Sequence, residues 1–540
     1  MRAGPALGRR AGGALRAGAA LLLLARAAAG AGDGDALRLP RIFGDHMVVQ
    51  RGRPVPVWGW VRPGERVTVT LAGASVEAQA DKMGLFNAEL PPLPAGGPFE
   101  LVVTPGDDDG AQRAVRVQDV LVGEVWLCAG GSNMRWPVNL STPAPGDTAI
   151  AADPSLRLCA LPEQHADYAY ASGAPVTWAR ASPAALEDFS AAAFCFARAL
   201  RAGLPDVPLG IVVAALPFTP IEPWIPASAM EASPLLQPVL AEAERRQAEY
   251  RAALRPALPA FRTWLAEARV ALDSDRLPPP MPALPRDPLL AADAPTALFN
   301  GMIAPLAPFP VAGVVWYQGE QDVGDGARYT GKLLALIRGW RAAWRRDDLP
   351  FGIVQLTPYR YGQRRPTEKA PEDPDPLRLP EFWEAQANAA VLPHAGLIVT
   401  TDLAELDNVF PLDKHPLGRR LADWALATVY GQPRPAASPQ LASLKLEGAR
   451  ARVHFKSTGG ALSTRDGQPP TWFEVAAADG HFTRASATLE GNDVIVWSDE
   501  VPEPAAVRFA WHQECQPNLV GKSGLPAVPF RTKLGDKPPK

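Results

Sequence analysis

Hydrophobic and polar positions alternate with a period of two through residues 37–117. The stretch "PVPVWGWVRPGERVTVTLAG" places apolar runs around Pro63-Gly64 and closes at Gly73, the punctuation expected between short strands. "FELVVTP" repeats the pattern. These residues predict a small all-β module. Over residues 118–432 the pattern becomes short apolar runs, each closed by glycine or polar residues, interleaved with helical periods. "DVLVGEVWLCAGGSNM", "PLGIVVAAL", "VAGVVWYQGEQD", "FGIVQLTPY" and "AGLIVTTDL" read as buried strands; "FSAAAFCFARALRAGL", "YTGKLLALIRGWRAAWRR" and "LGRRLADWALATVYG" read as helices. Such alternation predicts an α/β region with a parallel sheet covered on both faces. A site in such a sheet lies beyond the carboxyl ends of its strands. Residues 226–297 interrupt the order: two helical pieces, "LLQPVLAEAERRQAEYRAALRPAL" and "FRTWLAEARVAL", and the linker "LPPPMPALPRDP" read as a helical insertion. Residues 435–540 return to β, with strands in "RARVHFKS", "FEVAAADGHFTRA", "DVIVWSD" and "AVRFAWH".

The chain has 540 residues, enough for several domains. Its 59 prolines and 46 glycines agree with many turns and short strands. A net charge of −3 gives no overall attraction to nucleic acid or acidic lipid, so neither is expected as a partner. Four cysteines and seven scattered histidines lack metal-ligand spacing, and no metal site is expected. Cys128 and Cys195 lie in apolar runs and read as buried thiols. Arg2, Arg9, Arg10 and Arg16 precede a short apolar core at residues 17–25 and the small residues Ala27, Ala28 and Ala29. That order predicts a signal peptide over residues 1–30 and an exported protein. The core is too short to span a bilayer, and no membrane span is expected elsewhere.

Three clusters carry candidate chemistry. Ser132 follows Gly130-Gly131 at the end of a strand, where a tight turn raises a hydroxyl among free backbone amides. Gln318 and Glu320 follow a second strand; the Gln318 amide is able to donate to an oxyanion, and Glu320 to orient a loop or bind a sugar hydroxyl. His415, beside Asp413 and just before a helix, is the candidate base for the serine.

"RIFGDHMVVQRGRPVPVWGWVRPGERVTV", "GEVWLCAGGSNMRWPV", "TPIEPW", "LFNGMIAPL", "GVVWYQGEQD" and "VRFAWHQECQPNLVGKSGLPAVPFRT" resemble blocks of the sialate O-acetylesterases, a family in the SGNH hydrolase superfamily. The resemblance covers nearly all of the chain after the leader. It implies a flavodoxin-like hydrolase domain at 118–432, flanked by β-domains at 37–117 and 435–540. It also implies removal of O-acetyl groups from sialic acids or related sugars by a serine nucleophile and a histidine base, without a cofactor. Ser132 takes the nucleophile position, and Asn133, Thr219, Gln318 and Glu320 the oxyanion or substrate-binding positions. Three departures fall on this machinery. The family's Gly-Gln-Ser-Asn-Met has Gly131 at the glutamine, and Pro217-Phe218-Thr219 replaces its Gly-Gly-Thr. Its Ile-His-Pro reads Val409-Phe410-Pro411, with Asn408 at an often acidic place. Two readings follow: an esterase in which His415 substitutes as base, or a relative that binds glycans with impaired turnover.

Overall fold

The structure, a computed structural model, describes residues 36–106, 110–169, 172–361 and 375–534. The predicted leader lies outside the described residues. Among those described, no helix is long and apolar enough to cross a membrane.

The strand Val115–Gly130 organises the molecule. Its first half pairs with Gly96–Pro105 and Val48–Gln50 of the N-terminal β-region. Its second half, buried without interruption from Val120, enters the central sheet between Leu209–Ala215 and Gly313–Tyr317. A single 16-residue strand therefore runs through the boundary expected at 117/118. Phe351–Val354 and Ala395–Ile398 extend the sheet on one side; Leu156–Ala160 and the short antiparallel Trp178–Arg180 extend it on the other. With the antiparallel Trp178–Arg180 set aside, the six parallel strands, numbered as they occur in the chain, lie in the order 2-3-1-4-5-6. The connections reverse direction beside Val115–Gly130, and a doubly wound sheet opens its crevice at such a point.

Both faces are sealed by aromatic packing. Trp126 meets Phe196 of the helix Ala191–Gly203 and Trp424 of the helix His415–Thr428, at 5.1 and 5.9 Å between ring centres. On the other face Trp316 packs against Trp224 and against Trp340 of the helix Arg328–Trp344. The two helices of the first face cross very closely: a Cβ on Gly418 would lie 2.4 Å from the Cys195 carbonyl carbon. That approach fixes where the start of His415–Thr428 points.

The insertion differs from expectation. Its two helical pieces are one helix, Gln237–Asp273, that carries Pro256 and Pro259 internally. Of its side chains only Ala268 and Ala271 are buried, so water can satisfy the carbonyls that proline leaves unpaired. The C-terminal region is antiparallel, with Gln440–Glu447, Arg450–Lys456, Asp493–Trp497 and Ser486–Glu490 in one sheet.

Candidate active site

Ser132 opens the four-residue helical turn Ser132–Arg135 at the carboxyl end of the central strand. Gly130 makes the approach possible. It has φ +149°, and a Cβ there would fall 2.1 Å from the Tyr317 carbonyl oxygen. Gly131 N–H donates to that carbonyl at 3.0 Å, and Leu216 N–H donates to Gly130 O at 3.1 Å. The serine is thus held where three parallel strands end. Its Oγ accepts a hydrogen bond from Phe218 N–H at 3.1 Å.

That contact keeps a backbone donor in the altered segment. Pro217 has no N–H, but the amide that reaches Ser132 belongs to the next residue. Phe218 adopts φ +59°, a left-handed conformation that glycine takes freely and that costs other residues energy. Phe218 therefore takes a conformation open to glycine and still presents its N–H to Ser132.

Asn133 sits in a buried polar network. Its Nδ2 donates to Glu320 Oε1 at 2.6 Å and to Val409 O at 3.0 Å, and its Oδ1 accepts from Lys414 Nζ at 2.6 Å. Both amide hydrogens are used, so Asn133 orients its neighbours and has no side-chain donor left for a substrate. Glu320 also accepts from Gly319 N–H through Oε2 at 3.2 Å. The glycine at 131 leaves this carboxylate room: a Cβ there would stand 3.4 Å from Oε2. Lys414 is fully buried, 5.5 Å from the centre of the Tyr317 ring. Burial brings its ammonium down to about 8, with Glu320 and Glu405 opposing the shift. Sequence reasoning passed over Lys414, because Asp-Lys-His before a helix resembles a solvated first turn; the apolar strands it would face were the available signal.

The Gln318 oxyanion assignment does not fit the geometry. Its Nε2 donates to Asp322 Oδ2 at 2.5 Å and to Thr219 O at 3.1 Å, and its Oε1 accepts from the Tyr329 hydroxyl at 2.8 Å. Both amide hydrogens are spent inside the protein, and the residue has no exposed surface. Thr219 is likewise internal, with Oγ1 donating to Leu216 O at 2.9 Å and accepting from Trp224 Nε1 at 3.2 Å. Both residues support the loop that carries Phe218 N–H. Beneath them Glu222, Asp322 and Asp325 converge closely enough to ligate a cation. The Lys332 ammonium already fills the position, paired with Glu222 and Asp325 and 3.8 Å from Asp322.

His415 is also corrected as the base. It is the first residue of its helix and faces the helix Ala191–Gly203. Arg198 Nη1 donates to Nδ1 at 3.0 Å, the Cys195 thiol lies 3.5 Å from the same nitrogen, and Nε2 faces Asp147 Oδ2 at 3.4 Å. A guanidinium only donates, so Nδ1 is an acceptor committed to Arg198. Among the described residues no hydrogen bond joins His415 to Ser132. Nor is Cys195 a substitute nucleophile: burial pushes its thiol up to about 12. All four cysteines are buried free thiols. The position that the resemblance gives to the histidine is Phe410. Its ring stacks on Trp136 with centres 4.9 Å apart and planes at 24°, and the preceding Val409 carbonyl is the one that Asn133 holds.

A serine on a sharp turn at the switch point of a parallel sheet, faced by a loop amide, defines an α/β esterase scaffold. Residues 296–426 match the family described as carbohydrate esterase, sialic acid-specific acetylesterase. A solved carbohydrate acetylesterase from Xanthomonas citri superposes with a TM-score of 0.76 at 32% identity, covering 92% of this chain and all of that one. The rat sialate O-acetylesterase is 28% identical over 76% of this chain and 77% of its own length. The human sialate O-acetylesterase is 25% identical over 96% of each. The chain belongs to the sialic acid-specific acetylesterase family of carbohydrate esterases.

Proposed function

We propose that this protein binds O-acetylated sugars, sialic acid or a close relative among them, in the cleft over Ser132, with serine–histidine turnover impaired. The observation that carries this reading is the pair of stacked rings, Phe410 on Trp136, where a base is expected. Phe410 on Trp136 stands where the family resemblance places the histidine, and His415 is committed to Arg198 and Asp147. A serine hydroxyl without a base is a weak nucleophile near neutral pH. Recognition of an acetyl ester does not need that base, and the amide donor remains.

The retained Phe218 N–H on Ser132 favours a second reading, a slow acetylesterase. Ser132 would attack the acetyl carbonyl with loss of its proton to water, and the oxyanion would rest on the loop amide. The sugar would leave as its free hydroxyl as the acetyl-serine forms, and a second water would hydrolyse that ester to acetate and free Ser132. An oxyanion hole and binding alone retain roughly 10³–10⁴-fold catalysis when a triad member is lost.

Titration calorimetry with the methyl glycoside of an O-acetylated sialic acid, run beside an acetate-release assay on wild type and Ser132→Ala, separates the two. Binding with little or no acetate release supports the first. Rapid release that vanishes in Ser132→Ala overturns it. We further propose export through the N-terminal leader; sequencing the N-terminus of the secreted protein tests this, and a retained residue 1 would exclude cleavage.

A further inference from the structure

Phe218 combines three features that the fold itself does not require. It is a large apolar side chain left 65% exposed. Its backbone is held at φ +59°, where a glycine would be unstrained. Its N–H lies on the Ser132 hydroxyl, so its ring begins three bonds from the nitrogen facing that hydroxyl. The backbone around it is fixed: Leu216 N–H is bonded to Gly130 O, and Thr219 is buried and tied to Leu216, Trp224 and Gln318. With this loop clamped, the side chain is left mostly in solvent. A strained backbone and an exposed ring at one residue, beside a candidate nucleophile, point to a use outside the fold.

We propose that Phe218 is the residue that selects the sugar: its ring stacks on the apolar C–H face of the pyranose whose acetyl group enters beside Ser132. This rests on the reading of the cleft given above. An aromatic face is electron-rich and attracts the weakly positive C–H edge of an apolar partner. A pyranose presents several axial C–H groups on one face, whereas an acyclic acetate ester presents none in that array. The ring thus favours acetylated pyranosides over small acyl esters, in a position where a glycine would leave the sugar ring unsupported.

The test is titration calorimetry on the full chain with the methyl glycoside of an O-acetylated sialic acid, comparing wild type, Phe218→Gly and Phe218→Tyr. Glycine relieves the backbone strain, so Phe218→Gly is expected to melt no lower than wild type while binding the glycoside about tenfold more weakly. Phe218→Tyr keeps an aromatic face and is expected to bind within about threefold of wild type. If wild type binds and Phe218→Gly binds equally well, the stacking role is overturned and the cleft reading stands. If Phe218→Tyr loses binding as fully as Phe218→Gly, stacking is overturned as the cause. If wild type binds no acetylated glycoside, the cleft reading fails and takes this inference with it.

Discussion

The two sides of Ser132 have had different fates. On one side a backbone amide, Phe218 N–H, reaches the Ser132 hydroxyl although Pro217-Phe218 stands where the family resemblance has a Gly-Gly pair, and the loop is clamped by Leu216, Thr219 and Gln318. On the other side the resemblance places a histidine side chain, and Phe410 at that position offers no proton acceptor. Function built from main-chain groups tolerates substitution as long as φ and ψ are enforced from outside. Function built from a titrating ring does not.

The largest expected effect comes from restoring the missing side. Phe410 shares a face with Trp136, its loop is pinned by the Val409 carbonyl on Asn133, and it is only half-buried. An imidazole in its place retains the stacking and adds a proton acceptor. A positioned general base contributes about 10²–10⁴-fold. Acetate release from an O-acetylated sugar is expected to rise in Phe410→His by about that factor, and to fall back when Ser132→Ala is added. If the double variant is as fast as Phe410→His, the gain does not run through Ser132. If Phe410→His gains nothing, the base side is not the missing part.

A second contrast lies between the surface of the cleft and the charge sealed beneath it. Lys414 faces Asn133, Glu320, Glu405, the Cys195 thiol and the Tyr317 ring. Burial lowers its ammonium from 10.5 to about 8 in the folded protein. The unfolded chain therefore binds more protons between those two values, and this group makes stability rise as pH climbs from about 8 to about 10.5. The rise is on the order of 3 kcal/mol if the full shift is realised. Denaturant unfolding of wild type and Lys414→Met across that window measures it. Slopes are compared, since below about pH 8 removing the ammonium also strips Glu320 of a nearby cation. Parallel slopes would show that Lys414 keeps an ordinary lysine titration.

Much of this architecture was legible in the residues. The apolar runs that became parallel strands are buried on both faces and need no alternation, and Gly130-Gly131 before Ser132 announced a close turn. What escaped was set by geometry that no local pattern encodes. The φ of Phe218 follows from bonds to Leu216, Thr219 and Gln318, not from its neighbours in the chain. Pro256 and Pro259 read as a break because the exposure of their helix is a tertiary fact. Gln318 stood beside the right strand end, but Tyr329, Asp322 and Thr219 take its amide. The direction of His415 depends on Gly418 packing against Cys195, more than two hundred residues earlier.

That last dependence yields the smallest expected effect and the sharpest separation of the two histidine positions. His415 lies in the seam between the helices His415–Thr428 and Ala191–Gly203, where Arg198 and Asp147 take its two ring nitrogens. Glutamine there can still accept and donate, so His415→Gln should cost about 1 kcal/mol of stability, the net worth of a typical hydrogen bond. Placed in the Phe410→His background, His415→Gln is expected to leave acetate release within about twofold, because a ring not bonded to Ser132 removes no catalytic step. A collapse of the gained rate by the order of a lost base would return His415 to the mechanism and require its helix to swing out of the Arg198–Asp147 seam during turnover. An unchanged rate with a lowered melting temperature would place the second imidazole wholly in the scaffold.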